Sequence, residues 1–427
     1  MALRFLFIDF NSYFASVEQQ VDKSLRGKPV AVVPVEAETT SCIAASYEAK
    51  KFGVKTGTLV RDARLLCPEI IFRPARPPLY VEFHHTLIRI VEKCIPVFSV
   101  KSIDEMACEL TGRQTQKENA VAIALNIKQT IAAQAGDYLR CSIGIAPNIF
   151  LAKTASDMQK PDGLIVIEDQ DLPEKILSLE LQDFSGIGKR MLKRLYQHGI
   201  YSTHDLWNAE KTLLRKVWGG IEGDRMYEKL RGIEPALPLS KHTTIGHSHV
   251  LSPEFRTPEG VKVIANRMLQ KAAMRLRKME YRTASLSLSV QYLNKKSWSD
   301  DIRFSDTADT LHLTSALKKL IAKIPFADTT PLKVSVAFTH LLMEKAQTRS
   351  LFEDDAQESQ FNRVIDEVNL KYGKNALYFA DAHEGMESSP ARIAFNHIPN
   401  IALEDGRGDL KKKITKNLSF SKRKKEK

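Results

Sequence analysis

The chain has 427 residues, 43% of them hydrophobic and 27% charged, and a formal net charge of +12. This is globular composition with room for two to four cores, which excludes a fibrous or wholly disordered chain. No apolar run approaches the roughly 18 residues that span a bilayer, and five scattered cysteines give neither a zinc spacing nor a disulfide framework, so the expectation is a soluble, unexported protein of a reducing compartment.

In chain order, FLFIDF (residues 5–10) comes first. The continuous run Phe5, Leu6, Phe7, Ile8 suits a strand covered on both faces, and Asp9 stands at its end. A bare carboxylate there is costly unless something pairs with it; otherwise Asp9 turns to solvent or caps the next helix. VAVVPV (30–35) and LIVI (164–167) read as strands, and ASYEAKKFGV and NAVAIALNIKQTIAAQAG carry helical spacing. VFSVKSIDEMACEL (97–110) reads as two strands joined by a tight turn holding Asp104 and Glu105. Residues 1–169 are therefore a mixed α+β or α/β region. Residues 170–235 are mostly helical with glycine punctuation, and EPALPLSKH is a linker. Beyond it, VKVIANRMLQKAAMRLRKM is an amphipathic helix, SLSLSVQYL an alternating strand, 310–323 a second helix and LKVSVAFTHLL another strand, so 245–345 forms a separate small α+β domain.

Charge is divided unevenly along the chain. Residues 1–169 carry +1 and 170–244 carry +2, whereas 245–345 carry +7, 346–406 carry −6 and 407–427 carry +8. A basic module and a basic tail point to a polyanionic partner gripped by dedicated segments. The two acidic sites converge if their strands are neighbours in one sheet. Two like charges about 4 Å apart repel by roughly 4 kcal/mol at an effective dielectric near 20, so three carboxylates meeting at a strand edge need cations. Hard oxygen ligands without His or Cys favour Mg²⁺ or Mn²⁺.

DFNSYFASVE, AASYEAKKFGVKTG, SIDE and SIGIAPNIFLAKTASDMQKPDG follow one another in an order and spacing that resembles the Y-family, or translesion, DNA polymerases, DinB- and UmuC-like. The likeness covers residues 1 to about 345. Asn11 stands where many members have a second Asp and resembles the branch typified by the bacterial polymerase V catalytic subunit.

The resemblance implies an α+β, multidomain right-hand polymerase. It would have a ferredoxin-like palm (1–10 and 79–168), small fingers (11–78), a helical thumb with a helix-hairpin-helix (169–235) and an α+β little finger (243–345). A C-terminal extension would follow (346–427). It implies that Asp9, Asp104 and Glu105, with the backbone carbonyl of Phe10, hold two Mg²⁺ ions. Tyr47, Lys50 and Lys160 match positions that contact the triphosphate of an incoming dNTP, Lys50 standing where arginine is frequent. Phe14 matches the aromatic steric gate against a ribose 2′-oxygen, with Tyr13 a packing neighbour. SGIGKRMLKRL resembles a helix-hairpin-helix in which Gly186 and Gly188 allow a tight turn toward a DNA phosphate and Lys189 adds charge. In AQTRSLFEDD, Gln347, Leu351 and Phe352 resemble a peptide that binds the bacterial sliding clamp, with Gln347 one residue further upstream than in the commonest form. The implied setting is the cytoplasm of a bacterium, at the nucleoid, on primed template DNA. A non-catalytic DNA-binding member of the same fold and a nucleotide cyclase are the competing readings. The first is opposed by the presence of all three carboxylates, the second by a helix-hairpin-helix and basic module with no use in a cyclase.

Overall fold

The computed structural model describes residues 2–236, 243–325, 329–344, 355–372 and 376–385. Gln347, Leu351, Phe352 and the basic tail lie outside them. Contacts divide the chain into two compact units, one within residues 1–238 and one within 239–392.

The first unit is built around β1 (Phe5–Phe10), whose six residues are all buried, as its apolar run predicts. There follow β2 (Val30–Val33), β3 (Ala44–Ala45), β4 (Ile71–Pro74), β5 (Val97–Val100), β6 (Glu105–Glu109), β7 (Cys141–Ala146) and β8 (Leu164–Val166). Five of them make one sheet in the order β5-β6-β1-β7-β8. Strand β1 lies at its centre, antiparallel to β6 and β7, while β7 and β8 run parallel. The first six helices are α1 (Tyr13–Val21), α2 (Tyr47–Lys51), α3 (Val60–Leu66), α4 (Pro77–Glu92), α5 (Lys117–Gln134) and α6 (Ile149–Met158). Phe5 and Phe7 pack with Leu151, Ala152 and Ala155 of α6. Because side chains alternate along a strand, Asp9 shares that face and meets α6 at the end of β1. Gly144 permits the approach: a Cβ there would lie 2.0 Å from the Ala152 carbonyl oxygen.

A three-stranded sheet, β3-β2-β4, packs with α2 and α3 around Ala31, Val33, Val54, Val60 and Phe72. The helical segment contains α7 (Glu174–Leu177), α8 (Lys189–Gln197), α9 (Thr203–Asn208), α10 (Lys211–Trp218) and α11 (Ile221–Leu230). Its apolar residues Ile176, Phe184, Leu195, Leu206, Leu214 and Leu230 join the cluster that contains Phe5 and Phe7, so these helices share a core with the main sheet.

In the second unit, β9 (Ile245–Val250), β10 (Tyr281–Tyr292), β11 (Ser297–Thr307) and β12 (Pro331–Met343) form an antiparallel sheet in the order β11-β10-β12-β9. Leu286, Leu288 and Val290 of β10 face α12 (Pro258–Lys278) and α13 (Thr310–Ile321), the serines between them facing away, as the alternation in SLSLSVQYL predicts. A further helix, α14 (Asp355–Tyr372), was not expected from the sequence. It is held to α12 by a two-bond ion pair of Arg277 with Asp366, at 2.7 and 2.8 Å. Among the described residues no helix is long and apolar enough to cross a membrane.

Candidate active site

The antiparallel register of β1 and β6 sets Asp9 opposite Glu105. The two acidic sites that stand far apart in the sequence are thus neighbours in one sheet, as convergence required. Asp104 occupies the turn just before β6, and its backbone carbonyl accepts a bond from the Phe10 amide at 2.9 Å. The Asp104 carboxyl is raised to about 6, chiefly by burial and further by the charges of Asp9 and Glu105, with the Ser102 hydroxyl acting in the opposite sense. Ser102 Oγ lies 2.6 Å from Asp104 Oδ1 and 3.2 Å from Glu105 Oε2, tying the two acids to one turn.

Cations already crowd this end of the sheet. Lys153 Nζ lies 2.5 Å from Asp9 Oδ2, 2.7 Å from Glu105 and 3.1 Å from Asp157, and Lys160 Nζ lies 2.8 Å from both Asp9 and Asp157. Burial opposes the Lys153 charge, but Asp9, Asp157 and Glu105 outweigh it and hold its pKa well above the ordinary value; Lys160 is raised by the same balance against Asp9 and Asp157. Among the described residues no three His, Cys, Asp or Glu side chains form a ready metal cage, and the Lys153 ammonium sits between the oxygens of Asp9 and Glu105. The donor chemistry nonetheless fits a hard divalent cation: Asp9 and Glu105 stand on paired strands with Asp104 in the adjoining turn, and oxygens of the first two already converge on one positive charge.

Beside these groups, Ser46 caps α2 by accepting from the Ala49 amide, and Tyr47 and Lys50 project from that helix. The Lys50 ammonium stands 4.4 Å from the centre of the Tyr47 ring. Its pKa is lowered, first by burial and then by Lys160, while Asp9 acts in the opposite sense; Tyr47 is raised chiefly by burial. The three expected triphosphate contacts are therefore close enough to Asp9 to feel its charge. Phe14 is buried and stacks on Tyr80 with ring centres 4.6 Å apart, while the Tyr13 hydroxyl donates to the Tyr80 carbonyl at 2.6 Å. Tyr13 packs, as expected of it.

Gly186, Gly188 and Lys189 lie in the helical segment at the start of α8, apart from the carboxylates in the chain and on different elements. Gly186 adopts φ +92°, a conformation that favours glycine. Gly188 is the N-cap of α8 in extended geometry that any residue adopts. Lys153, Asp157, Ser102 and Tyr80 were not singled out from the sequence. The helical spacing of Lys153, Asp157 and Lys160 in LAKTASDMQK (151–160) signals one shared face, which sequence reasoning could have used.

The sequence model of the impB/mucB/samB family matches residues 8–157, and that of the family's C-terminal domain matches residues 242–351. A protein named DNA polymerase IV from Moorella thermoacetica is 33% identical over 384 residues, which cover 88% of this chain and 95% of that one. DNA polymerase IV 1 of Bacillus subtilis is 28% identical over 401 residues, 91% of this chain and 95% of that one. The fold is similar to that of a solved Y-family DNA polymerase chimera, with a TM-score of 0.67 at 22% identity over 80% of this chain and 99% of that one. It is also similar to the insertion ternary complex of Dbh DNA polymerase, with a TM-score of 0.53 at 24% identity and the same coverage. Both relatives bear the polymerase IV name, so the polymerase V likeness of Asn11 belongs to that position and not to the whole chain. With a relative matched over 95% of its length and the acidic pair in register beneath a lysine-bearing helix, the chain belongs to the impB/mucB/samB family, as a DinB-like Y-family DNA polymerase.

Proposed function

We propose that this protein is a template-directed DNA polymerase of the translesion type, adding deoxynucleotides to a primer 3′-end opposite damaged template. The observation that carries the reading is the pairing of Asp9 with Glu105 across β1 and β6, with Asp104 in the adjoining turn. In this reading the main sheet with α4, α5 and α6 is the palm, residues 11–78 the fingers, α7–α11 the thumb and the second unit the little finger.

Asp9, Asp104, Glu105 and the Phe10 carbonyl would hold Mg²⁺ or Mn²⁺. Two such ions, when bound, make the primer 3′-hydroxyl a better nucleophile and neutralise the leaving pyrophosphate. The protein's own groups do the rest. Tyr47, Lys50 and Lys160 bind the triphosphate of the dNTP and hold its sugar against Phe14, whose ring excludes a 2′-hydroxyl. Lys50 serves as a point charge and not as a bidentate fork. The Gly186–Lys189 turn takes a DNA phosphate, and residues 245–345, with their charge of +7, grip the duplex without reading its sequence. The same reading places the protein in the bacterial cytoplasm under a DNA-damage response, with Gln347, Leu351 and Phe352 engaging a sliding clamp.

Extension of a primed template, assayed beside cyclic nucleotide formation, tests the reading. Asp104→Ala and Glu105→Ala abolish extension while DNA binding stays within a few fold, since the carboxylates serve the reaction and the basic unit serves the grip. Equal loss of both activities would reject that division of labour.

A further inference from the structure

Helix α6 runs over the end of β1 with Lys153, Asp157 and, just beyond its last turn, Lys160 toward the carboxylates. The two lysines are not equivalent. Lys160 bonds Asp9 but not Glu105, and its charge also reaches Tyr47 and Lys50. Of the two, Lys153 bonds both members of the register pair, and its side chain is 18% exposed. Its position is that of a cation shared by Asp9 and Glu105, and its ammonium bonds a third acid, Asp157, on its own helix. An ammonium and a divalent ion cannot both occupy those oxygens at contact distance.

We propose that Lys153 is a built-in stand-in cation that holds the acidic pair together while no divalent ion is bound and is displaced when one enters. This rests on the metal-dependent polymerase reading above. The acids at this edge would repel one another without a counter-charge, and a tethered ammonium removes that repulsion without closing the site. Asp157 gives the displaced ammonium a partner on α6, one turn away from the acids it leaves. Lys153 is in this sense a positioning residue: it acts on the carboxylates, and the same carboxylates are released by its movement.

The test is Mn²⁺ binding to the full-length protein without DNA or nucleotide, measured by calorimetry, together with thermal unfolding in chelator and in Mn²⁺. Lys153→Met removes the competitor and keeps most of the volume, so it binds Mn²⁺ about tenfold tighter than the parent. Its melting temperature falls in chelator and recovers in Mn²⁺, but not in NaCl of equal ionic strength. Lys153→Arg, whose fork holds a carboxylate by two bonds, is harder to displace and binds Mn²⁺ more weakly than the parent. Opposite signs for the two variants are the signature; a lysine that merely fills space gives none. If Lys153→Met binds no tighter while binding still depends on Asp9, the stand-in role is wrong and the metal reading stands. If the parent and Asp9→Asn bind Mn²⁺ alike, the metal reading itself fails and the stand-in role falls with it. Should Lys153→Met not fold in either condition, Lys153→Arg decides alone, and binding equal to or tighter than the parent overturns the proposal.

Discussion

Replacing Arg76 by Ala tests how the ring of Phe14 is held. Glu18 on α1 is 1% exposed, and among the described residues its carboxylate is bonded by Arg76 and Tyr80. The Arg76 guanidinium meets it with two bonds, one of 3.0 Å from Nε to Oε1, and the Tyr80 hydroxyl donates to the same carboxylate at 2.7 Å. Tyr80 in turn is the surface on which Phe14 stacks. Removing one partner of a buried pair costs about 3–5 kcal/mol because the other charge is stranded. The Arg76 side chain is 49% exposed, so water screens part of that, and we expect a loss of about 2–3 kcal/mol. For a folded unit of this size that lowers the melting temperature by about 5–10 °C. Thermal unfolding of Arg76→Ala beside the double variant Glu18→Met with Arg76→Leu measures it; the double variant strands no charge and regains most of the loss. Nucleotide competition in the same proteins reads the consequence, a few-fold rise in ribonucleotide use as Tyr80 loses its anchor. A loss below about 0.5 kcal/mol in Arg76→Ala, or a double variant as unstable as the single one, would refute the stranded-charge reasoning.

Phe14→Ala raises ribonucleotide incorporation relative to deoxyribonucleotide incorporation by removing the clash with the 2′-oxygen, and an unchanged ratio shows that Phe14 is not the gate. His84 donates from Nδ1 to the Ile103 carbonyl at 2.7 Å with its Nε2 buried and unbonded, and its pKa is lowered by burial, opposed by the Ile103 bond and assisted by His85. The unfolded chain then takes up the proton more readily. The stabilisation is complete above about pH 6.5 and is lost as pH falls below that value, against the opposite contribution of Asp104, whose raised pKa favours the folded state there. His84→Gln therefore shows a smaller fall in melting temperature between pH 7.5 and 5.5 than the parent; an identical fall assigns the acid limb elsewhere. Gly144→Ala drives a Cβ to 2.0 Å from the Ala152 oxygen and 2.5 Å from the Ser156 nitrogen, both backbone atoms of α6. The helix has to shift, at a cost of about 3 kcal/mol, and primer extension falls with the displacement of Lys153; full activity at unchanged stability rejects the close approach.

What the sequence could convey depended on the range of the interaction. The apolar run before Asp9 and the alternation in SLSLSVQYL are local patterns set by burial, and both became strands with the expected faces. That Asp9 meets Glu105 depends on a strand register across roughly a hundred residues, which periodicity cannot supply; the family resemblance supplied it instead. Helix α14 was missed because its inward positions are Asn362, Asp366 and Asn369 beside Ile365, a polar seam satisfied by Asp309, Arg277 and the Leu377 backbone. A hydrophobic stripe is the signal sequence reading relies on, and a seam built of paired polar groups carries little of it. Lys153 was passed over for a similar reason: a helical lysine usually faces solvent, and only the sheet beneath it makes this one a partner of three acids.

The same reasoning explains Asn11, the residue next but one to Asp9 at the end of β1. Its side-chain nitrogen donates to Ser142 Oγ at 3.1 Å and its oxygen accepts from the Asp162 amide at 2.8 Å. Ser142 lies opposite Asp9 in the β1–β7 register, donates to the Gln159 carbonyl at 2.9 Å and accepts from the Gly163 amide at 3.1 Å. Asn11 and Ser142 together fasten the end of β1 to the 159–163 loop, which carries Lys160 over Asp9. A carboxylate at position 11 could accept from the Asp162 amide but could not donate to Ser142. It would also add a charge where Asp9, Glu105 and Asp157 already share Lys153 and Lys160 and the Asp104 carboxylate is bonded by the Ser102 hydroxyl. An amide supplies both a donor and an acceptor without that charge, so Asn11 serves by placing Lys160 over Asp9.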